Sequence, residues 1–216
     1  MNRASTLKIT EIFRSLQGEG DCVGFPTVFV RLTGCPLRCQ YCDTAYAFTG
    51  GTATSIDEIL ATVAAFNTKH VCVTGGEPLA QANCAALLTR LCDAGYHVSL
   101  ETSGAMSLAG VDSRVVKVVD IKTPGSGEEQ RNRYGELALL AQQDQVKFVI
   151  CDRTDYEWSR DKTSELQLGK RAMVLFSPSH EQLPARDLAD WILADGIPVR
   201  MQVQLHKVLW GNVPGK

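Results

Sequence analysis

The sequence of 216 residues lacks the features that mark several classes of protein. No apolar run approaches the ~20 residues that cross a bilayer, and the N-terminal segment MNRASTLKITEIF lacks the apolar core of a secretion signal. The formal net charge is only −2, and no block of lysine or arginine supplies the clustered cations that nucleic-acid binding requires. These absences predict a cytoplasmic protein that binds neither membranes nor nucleic acid and acts on a small molecule.

Hydrophobic and charged residues make up 44% and 21% of the chain, which is ordinary for a globular enzyme. No low-complexity segment or linker divides the sequence, and only the tail GNVPGK reads as a loop. A chain of this length suffices for one well-buried core. We therefore expect a single domain over residues 1–216, with variable parts at about 127–170 and 208–216.

Short apolar runs alternate with helical patterns along the chain. Strands are predicted at 27–32, 71–74, 97–101, 115–120, 146–150, 172–176 and 198–204. Helices are predicted at 55–66, 80–95, 154–168 and 184–196, and Ser55-Ile-Asp-Glu58 forms a capping box at the first. Repeated strand–helix units indicate a parallel α/β sheet, but about six units are too few for a closed eight-fold barrel. The expected fold is a partial, open parallel (β/α) barrel with its active site at the C-terminal strand ends.

Three of the eight cysteines fall within the segment CPLRCQYC, directly after a predicted strand. Without a secretion signal, clustered thiols favour metal binding over disulfides. Three soft thiolates suit either an iron–sulfur cluster, which would keep one open coordination position, or zinc with Cys22 as a fourth ligand. Both metals remain open on these grounds. The other thiols are isolated among apolar residues and are predicted to be structural: Cys22, Cys72, Cys84, Cys92 and Cys151.

The spacing CxxxCxxC resembles the signature of radical S-adenosylmethionine (SAM) enzymes, and GGEP after the next predicted strand resembles that family's methionine-binding motif. The resemblance implies a 4Fe-4S cluster on Cys35, Cys39 and Cys42 and S-adenosyl-L-methionine on the fourth iron. One electron, from a flavodoxin- or ferredoxin-like protein, would then generate a 5′-deoxyadenosyl radical, with no acid or base residue assigned. The implied cofactor-binding residues are Tyr41, Cys42, Asp43, Gly75, Gly76, Glu77, Thr102, Ser103, Asp120, Lys122, Ser177 and Pro178.

Three further segments resemble one family within that superfamily, the 7-carboxy-7-deazaguanine synthases: LQGEG before the cysteines, Asp43-Thr44 after them, and the C-terminal MQVQLHKVLWGNVPGK. This resemblance implies a carbon–nitrogen lyase of 7-deazapurine and queuosine biosynthesis. Its reaction is the radical ring contraction of 6-carboxy-5,6,7,8-tetrahydropterin to 7-carboxy-7-deazaguanine with loss of ammonia. The implied substrate-binding residues are Leu16, Gln17, Gly18, Glu19, Arg31 and Thr74.

The same resemblance implies a magnesium ion on Thr44, since a hydroxyl is a hard ligand suited to Mg²⁺ rather than to iron in a sulfide cluster. It also implies a homodimer. Some family members end in a proline that touches substrate, whereas this chain continues through WGNVPGK. The residue that makes the equivalent contact here is therefore not assigned, and Pro214 is one candidate.

Two alternative functions fit parts of the sequence. An activating enzyme of a glycyl-radical enzyme, such as anaerobic ribonucleotide reductase, would share the cysteine loop and GGEP, although LQGEG and Cys-Asp-Thr weigh against it. A zinc-stabilised binding module without catalysis would explain the cysteines alone.

Overall fold

The computed structural model describes residues 5–213 and 215–216, and its nine described strands form one sheet. The strands are β1 Thr6–Leu16, β2 Pro26–Leu32, β3 Thr52–Ser55, β4 His70–Gly75, β5 His97–Thr102, β6 Val116–Ile121, β7 Gln145–Ile150, β8 Met173–Pro178 and β9 Arg200–Met201. The α-helices are α1 Ile56–Ala64, α2 Cys84–Asp93, α3 Arg153–Glu165, α4 Ala185–Asp195 and α5 Leu205–Trp210. None of the helices in these ranges is long and apolar enough to cross a membrane.

The strand order is β3-β1-β2-β4-β5-β6-β7-β8-β9. From β2 to β9 each neighbouring pair is parallel, whereas β1 pairs antiparallel with both β2 and β3. The two outermost strands of the order, β3 and β9, do not pair with each other, so the sheet stays open. This topology confirms the predicted open parallel barrel and adds an antiparallel extension at one edge.

Six of the predicted strands occur within about two residues of their expected positions. The seventh, expected at 198–204, is wrong: only Arg200 and Met201 form a strand, and a helix that was not predicted follows at Leu205. Beyond Met201 the chain leaves the sheet, and the side-chain amides of Gln202 and Gln204 donate hydrogen bonds to Glu19 instead. The polar edge strands β1 and β3 were also not predicted.

The helix ends follow local rules. Ser55 accepts a hydrogen bond from the Glu58 backbone N–H, and the Glu58 carboxylate accepts one from the Ser55 N–H at 2.9 Å, so the capping box is confirmed. Gly196 ends α4 in the left-handed conformation, with φ of 60°. The helix expected over 80–95 begins only at Cys84, because residues 78–80 form a 3₁₀ turn after β4.

Side-chain alternation separates two faces of the parallel strands. Residues such as Val28, Val30 and Leu100 pack into a buried apolar cluster beneath the helices. Their sequence neighbours Arg31 and Glu101 line a cavity on the opposite, concave face. The strands thus carry the polar residues of the site on the same backbone that anchors the core.

A buried ion pair joins β6 to the turn before β7. Lys117 Nζ lies 2.9 Å from Asp144 Oδ2, and their side chains are only 6% and 0% exposed. Asp144 also accepts hydrogen bonds from the backbone N–H groups of Lys117 at 2.8 Å and Ala141 at 2.7 Å. Removal of this carboxylate would leave a buried ammonium and two N–H donors unpaired.

We expect Asp144→Ala to lower the free energy of unfolding by about 3–5 kcal/mol, because it breaks a buried pair from one side. Urea unfolding followed by circular dichroism measures this loss. Glu157→Ala is the matched control: its carboxylate pairs with Arg153 at 2.9 Å on the surface, and the expected change is within about 0.5 kcal/mol. Equal effects of the two substitutions would contradict the importance of burial at Asp144.

Candidate active site

A cavity of about 630 Å³ lies on the concave face, at the C-terminal ends of β2, β4, β5 and β6. It brings together most of the site residues predicted from sequence, although they are scattered along the chain. Those that line it are Leu16, Gln17, Glu19, Arg31, Cys35, Cys39, Tyr41, Cys42, Asp43, Thr44, Thr74, Gly75, Gly76, Thr102, Ser103, Asp120 and Lys122.

The three clustered cysteines sit in a loop that leaves β2 and borders this cavity. All eight cysteines of the chain are free thiols. Burial raises the pKa of Cys39 to about 11, so a metal that binds there must displace a proton. Among the described residues, no three His, Cys, Asp or Glu side chains converge closely enough to hold one metal ion. The three thiols border one cavity, as ligands of a shared metal cluster must.

Cys22 does not line this cavity; it lies on a second, smaller cavity with His70 and His97. The idea that Cys22 completes a zinc site with the clustered cysteines is therefore wrong. The loop that carries Cys22 connects β1 to β2 at the far end of β2 from the cysteine loop.

Gly75 and Gly76 allow the cysteine loop to lie directly on the end of β4. A Cβ atom on Gly75 would collide with the backbone of Leu32, and one on Gly76 would collide with the backbone of Gly34 and with Cys35 Cβ. Gly75 also has φ of 147°, which L side chains rarely adopt. Both positions thus require glycine, and their backbone faces the cavity beside the cysteines.

Glu77 lies behind the cavity wall rather than in it. Its side chain is fully buried and accepts hydrogen bonds from Leu79 N–H at 2.9 Å, Thr102 Oγ1 at 3.0 Å and Ser103 N–H at 2.7 Å. The carboxylate thereby fixes the end of β5 against the end of β4. Glu77 itself does not line the cavity, whereas Thr102 and Ser103, which it positions, do; its contact with a cofactor stays a prediction.

Three other predicted residues also do not line the cavity. The Gly18 carbonyl accepts a hydrogen bond from Leu205 N–H at 3.0 Å, and a Cβ on Gly18 would collide with the His206 imidazole. Ser177 and Pro178 are buried at the end of β8, and the residues after them, Ser179 and His180, reach the cavity instead.

The floor of the cavity contains a buried lysine that sequence reasoning missed. Lys147 Nζ lies 2.9 Å from Glu19 Oε2, 3.5 Å from Asp120 Oδ2 and 3.6 Å from Glu101 Oε2. Lys122 Nζ lies 3.0 Å from the other oxygen of Asp120. A lysine in the middle of the apolar strand QVKFVI was the sequence signal, because a buried strand lysine requires a partner.

Opposing effects set the charges of this floor. Burial alone would lower the pKa of Lys147, but the three carboxylates raise it well above its ordinary value. Burial would raise the pKa of Glu19, but Lys147 holds it below its ordinary value. For Glu101 burial prevails and raises the pKa to about 7. Glu101 is therefore the floor group that exchanges a proton near neutral pH.

Arg31 and its partners form one wall of the cavity. Its Nε donates to Glu11 Oε1 at 2.7 Å, and the Tyr46 hydroxyl donates to the same oxygen at 2.8 Å. The Arg31 guanidinium also lies 5.7 Å from the ring centroid of Phe13. These contacts fix the plane of the guanidinium at the cavity edge.

The C-terminal segment reaches the cysteine loop. Lys207 Nζ lies 2.8 Å from Asp43 Oδ2, and Thr44 Oγ1 donates to Asp43 Oδ1 at 2.8 Å. Although burial opposes it, the hydrogen bond with Lys207 lowers the pKa of Asp43 to about 2. The residues after α5 that line the cavity are Gly211, Asn212, Val213, Gly215 and Lys216. Pro214 lies outside the described residues.

Comparison with known proteins agrees with this geometry. The Radical SAM superfamily profile matches residues 29–117. The chain is 43% identical to a 7-carboxy-7-deazaguanine synthase of Chlorobaculum tepidum, over 97% of both proteins. It is 44% identical to one of Koribacter versatilis, over 94% of this chain and 97% of the relative. The crystal structure of QueE from Escherichia coli shares the fold, with a TM-score of 0.76 at 24% identity over 93% of this chain and 95% of that one.

The charge state of Glu101 gives a pH test of the floor. Because its folded pKa of about 7 exceeds the ordinary 4.5, the folded protein binds an extra proton between these values. Its contribution to the free energy of unfolding is therefore complete below about pH 4.5 and is lost as the pH rises through about 7. In Glu101→Gln this loss, on the order of 1–3 kcal/mol, should disappear.

Urea unfolding of both proteins between pH 5 and pH 8 measures this difference. The other charged groups of the floor, Glu19, Asp120 and Lys147, remain in the variant, so subtraction isolates Glu101. Parallel stability curves for the two proteins would show that Glu101 does not titrate in this range.

Proposed function

We propose how this site works on the premise that the chain belongs to the 7-carboxy-7-deazaguanine synthases, a family of radical SAM enzymes. As a radical SAM enzyme it uses a 4Fe-4S cluster and S-adenosyl-L-methionine. The reaction is the ring contraction of 6-carboxy-5,6,7,8-tetrahydropterin, with the overall outcome of a carbon–nitrogen lyase because ammonia is released. The observation that carries this proposal is the single cavity in which the cysteine loop faces LQGEG and a floor of buried charges.

Cys35, Cys39 and Cys42 would hold the cluster, and their thiols all line the same cavity. When bound, the cluster and S-adenosyl-L-methionine supply a 5′-deoxyadenosyl radical that abstracts hydrogen from the substrate. The backbone of Gly75 and Gly76 offers carbonyl oxygens to the methionine amine. Thr102 and Ser103, fixed by Glu77, and Lys122 with Asp120 line the cavity on the same side. Tyr41 Oη is buried and makes no hydrogen bond to other described residues, so it can accept a ligand donor.

The substrate is proposed to bind between the cysteine loop and the floor. A pterin edge presents several N–H donors and acceptors, which match the Gln17 amide and the Glu19 carboxylate. Arg31, held in plane by Glu11, would pair with the substrate carboxylate. Leu16 and Thr74 complete the lining beside these groups.

Proton transfer is proposed to occur at Glu101. Its carboxylate faces the cavity and titrates near neutral pH, so Oε2 can take a proton from the substrate and return one to the departing nitrogen. Lys147 remains charged and holds the pKa of Glu19 below its ordinary value, so Glu101 is the carboxylate of the floor that we assign to proton exchange.

Thr44 is proposed to bind magnesium. Its hydroxyl proton points to Asp43, so the oxygen lone pairs are free for a hard cation. Such an ion would also take substrate oxygens and stabilise negative charge on them. Lys207 neutralises Asp43 and keeps that carboxylate oriented towards the Thr44 hydroxyl.

We further propose a single domain over 1–216, a homodimer, and a flavodoxin- or ferredoxin-like reductant. The family resemblance supports the last two, and a radical reaction also requires a donor of single electrons.

The substrate assignment is tested by anaerobic reconstitution. Protein with a full cluster should convert 6-carboxy-5,6,7,8-tetrahydropterin to 7-carboxy-7-deazaguanine, with dependence on S-adenosyl-L-methionine and on reductant. Product is measured by its ultraviolet spectrum and by mass. Absence of turnover by protein with full iron and sulfide content would reject the assignment.

Cys39→Ala should abolish the cluster, because three thiolates are required to hold it. Iron and sulfide content and the visible absorption of the anaerobically reconstituted protein measure this. Cys22→Ala, which changes a half-buried thiol of the β1–β2 loop away from the cysteine loop, is the matched control and should retain a full cluster. A full 4Fe-4S content in Cys39→Ala would show that the ligand assignment is wrong.

Thr44→Ala should lower turnover by about tenfold or more and remove its dependence on magnesium, while iron and sulfide stay at wild-type content. Thr44→Ser keeps the hydroxyl and should restore most of the magnesium dependence. The measurements are turnover over a range of magnesium concentrations and metal content. An unchanged magnesium dependence in Thr44→Ala would remove the proposed role of this hydroxyl.

A further inference from the structure

A second cavity of about 160 Å³ lies on the other side of the active-site floor. It is lined by residues at the N-terminal ends of the parallel strands, including His70, His97 and Val116, and by Cys22 from the β1–β2 loop. Exposed residues at its edge, Asp21 and Arg114, show that it opens to the protein surface. None of the active-site roles described above involves this end of the barrel.

The two cavities share a wall. Gln17, Glu19 and Glu101 line both of them, so the active-site floor is one layer of side chains thick at this point. Glu19 and Glu101 both pair with Lys147, which faces the upper cavity only. A small molecule that leaves the substrate at the floor is therefore separated from the lower cavity by carboxylate and amide groups alone.

The surface of the lower cavity is mainly apolar, but two of its buried hydrogen-bond acceptors have no donor among the described residues. Gln145 is 1% exposed, and its Oε1 is buried without a hydrogen-bond partner among the described residues. The same holds for His70 Nδ1, whose pKa is lowered by burial and by the neighbouring His97, so the ring is neutral and this nitrogen can accept. The Ser99 and Thr27 hydroxyls also line the cavity.

Cations near this cavity are already paired. Lys147 is held by the carboxylates of the floor, and the Arg114 guanidinium binds Asp93 and Asp112, each at 2.7 Å. The cavity therefore offers unpaired acceptors beside carboxylates, and no nearby cation of the described residues is free to neutralise them. Such a site favours a small ligand that carries several N–H donors and a positive charge.

We propose that the second cavity binds the ammonium ion released by the reaction and forms its exit route, separate from the mouth through which substrate enters. This inference rests on the proposed function, since it needs the nitrogen that the ring contraction expels. The carbon–nitrogen bond breaks as Glu101 returns its proton to the departing nitrogen, which leaves as ammonia and takes up one further proton from water to become ammonium. No oxidant or reductant is required for this step.

The exit route also explains the shared wall. Ammonium can exchange its hydrogen bonds from Glu101 and Glu19, which line both cavities, to acceptors of the second cavity such as Gln145.

Binding is tested directly with thallium(I), which is close to ammonium in size and scatters anomalously. Crystals of the protein soaked in thallium(I) acetate should show an anomalous peak in the second cavity beside Gln145. The peak should disappear in Gln145→Leu, which keeps the size of the side chain but removes the acceptor. It should persist in Gln145→Glu, which keeps an acceptor and adds charge, and which serves if Gln145→Leu does not fold.

A kinetic test uses ammonium chloride as a product inhibitor of pterin turnover, with tetramethylammonium chloride as the control for ionic strength. Ammonium should inhibit the wild type and tetramethylammonium should not. In Gln145→Leu the inhibition constant for ammonium should rise by about tenfold, the loss expected for one hydrogen bond to a charged donor. Gln143→Leu, which changes an exposed amide two residues away, should leave that constant unchanged.

The outcomes separate this inference from the proposed function. If the protein converts the pterin but shows no thallium peak in the second cavity, the cavity holds water only and the exit route is wrong while the function stands. If an equal peak remains in Gln145→Leu, the proposed binding group is wrong. Failure of pterin turnover by fully loaded protein rejects the proposed function, and the thallium soak is read independently of it.

Discussion

The placement of one ammonium group among three carboxylates is the constraint on which the active site depends. Lys147 lies within 3.6 Å of Glu19, Asp120 and Glu101, which come from the β1–β2 connection and from two different strands. Without that charge the three carboxylates would repel one another in a region largely withdrawn from water, and they would protonate or separate. Lys147 lies closest to Glu19 and holds the pKa of that carboxyl below its ordinary value, whereas burial raises the pKa of Glu101 to about 7.

A second set of contacts fixes the position of the cysteine loop relative to the strand ends. Glu77 ties Thr102 and Ser103 to the end of β4, and Gly75 and Gly76 let the loop approach that end without a side chain between them. The cofactor side of the cavity therefore depends on the close approach of two backbone segments. A substitution that adds a side chain to either glycine would prevent that approach. The substrate side is built on ion pairs, where Glu11 and Lys147 fix the groups that would contact a pterin.

The sequence predicted the parallel part of the fold well. Buried strands such as β4 and β7 are continuous apolar runs, so they can be identified without knowing which strands lie beside them. It failed where tertiary contacts decide the structure. β1 alternates exposed and buried residues at an antiparallel edge, and the segment after Met201 leaves the sheet because Gln202 and Gln204 bind Glu19, a partner far away in the chain. Motif spacing likewise located the cysteine loop, but not Lys147 or Lys207, whose partners lie on other elements.

The same reasoning explains why Glu77 was assigned to the cavity although it lies behind it. A motif marks the residues that a site requires, yet it does not separate those that touch a ligand from those that hold the ones that do. Burial bears on that distinction: the Glu77 carboxylate has no exposed surface, and its oxygens accept hydrogen bonds from Thr102 and Ser103. Glu101, only one residue before Thr102, lines the cavity and lies 3.6 Å from Lys147. Burial thus separates Glu77, which holds the ends of two strands together, from Glu101, which is open to the cavity and available to a ligand.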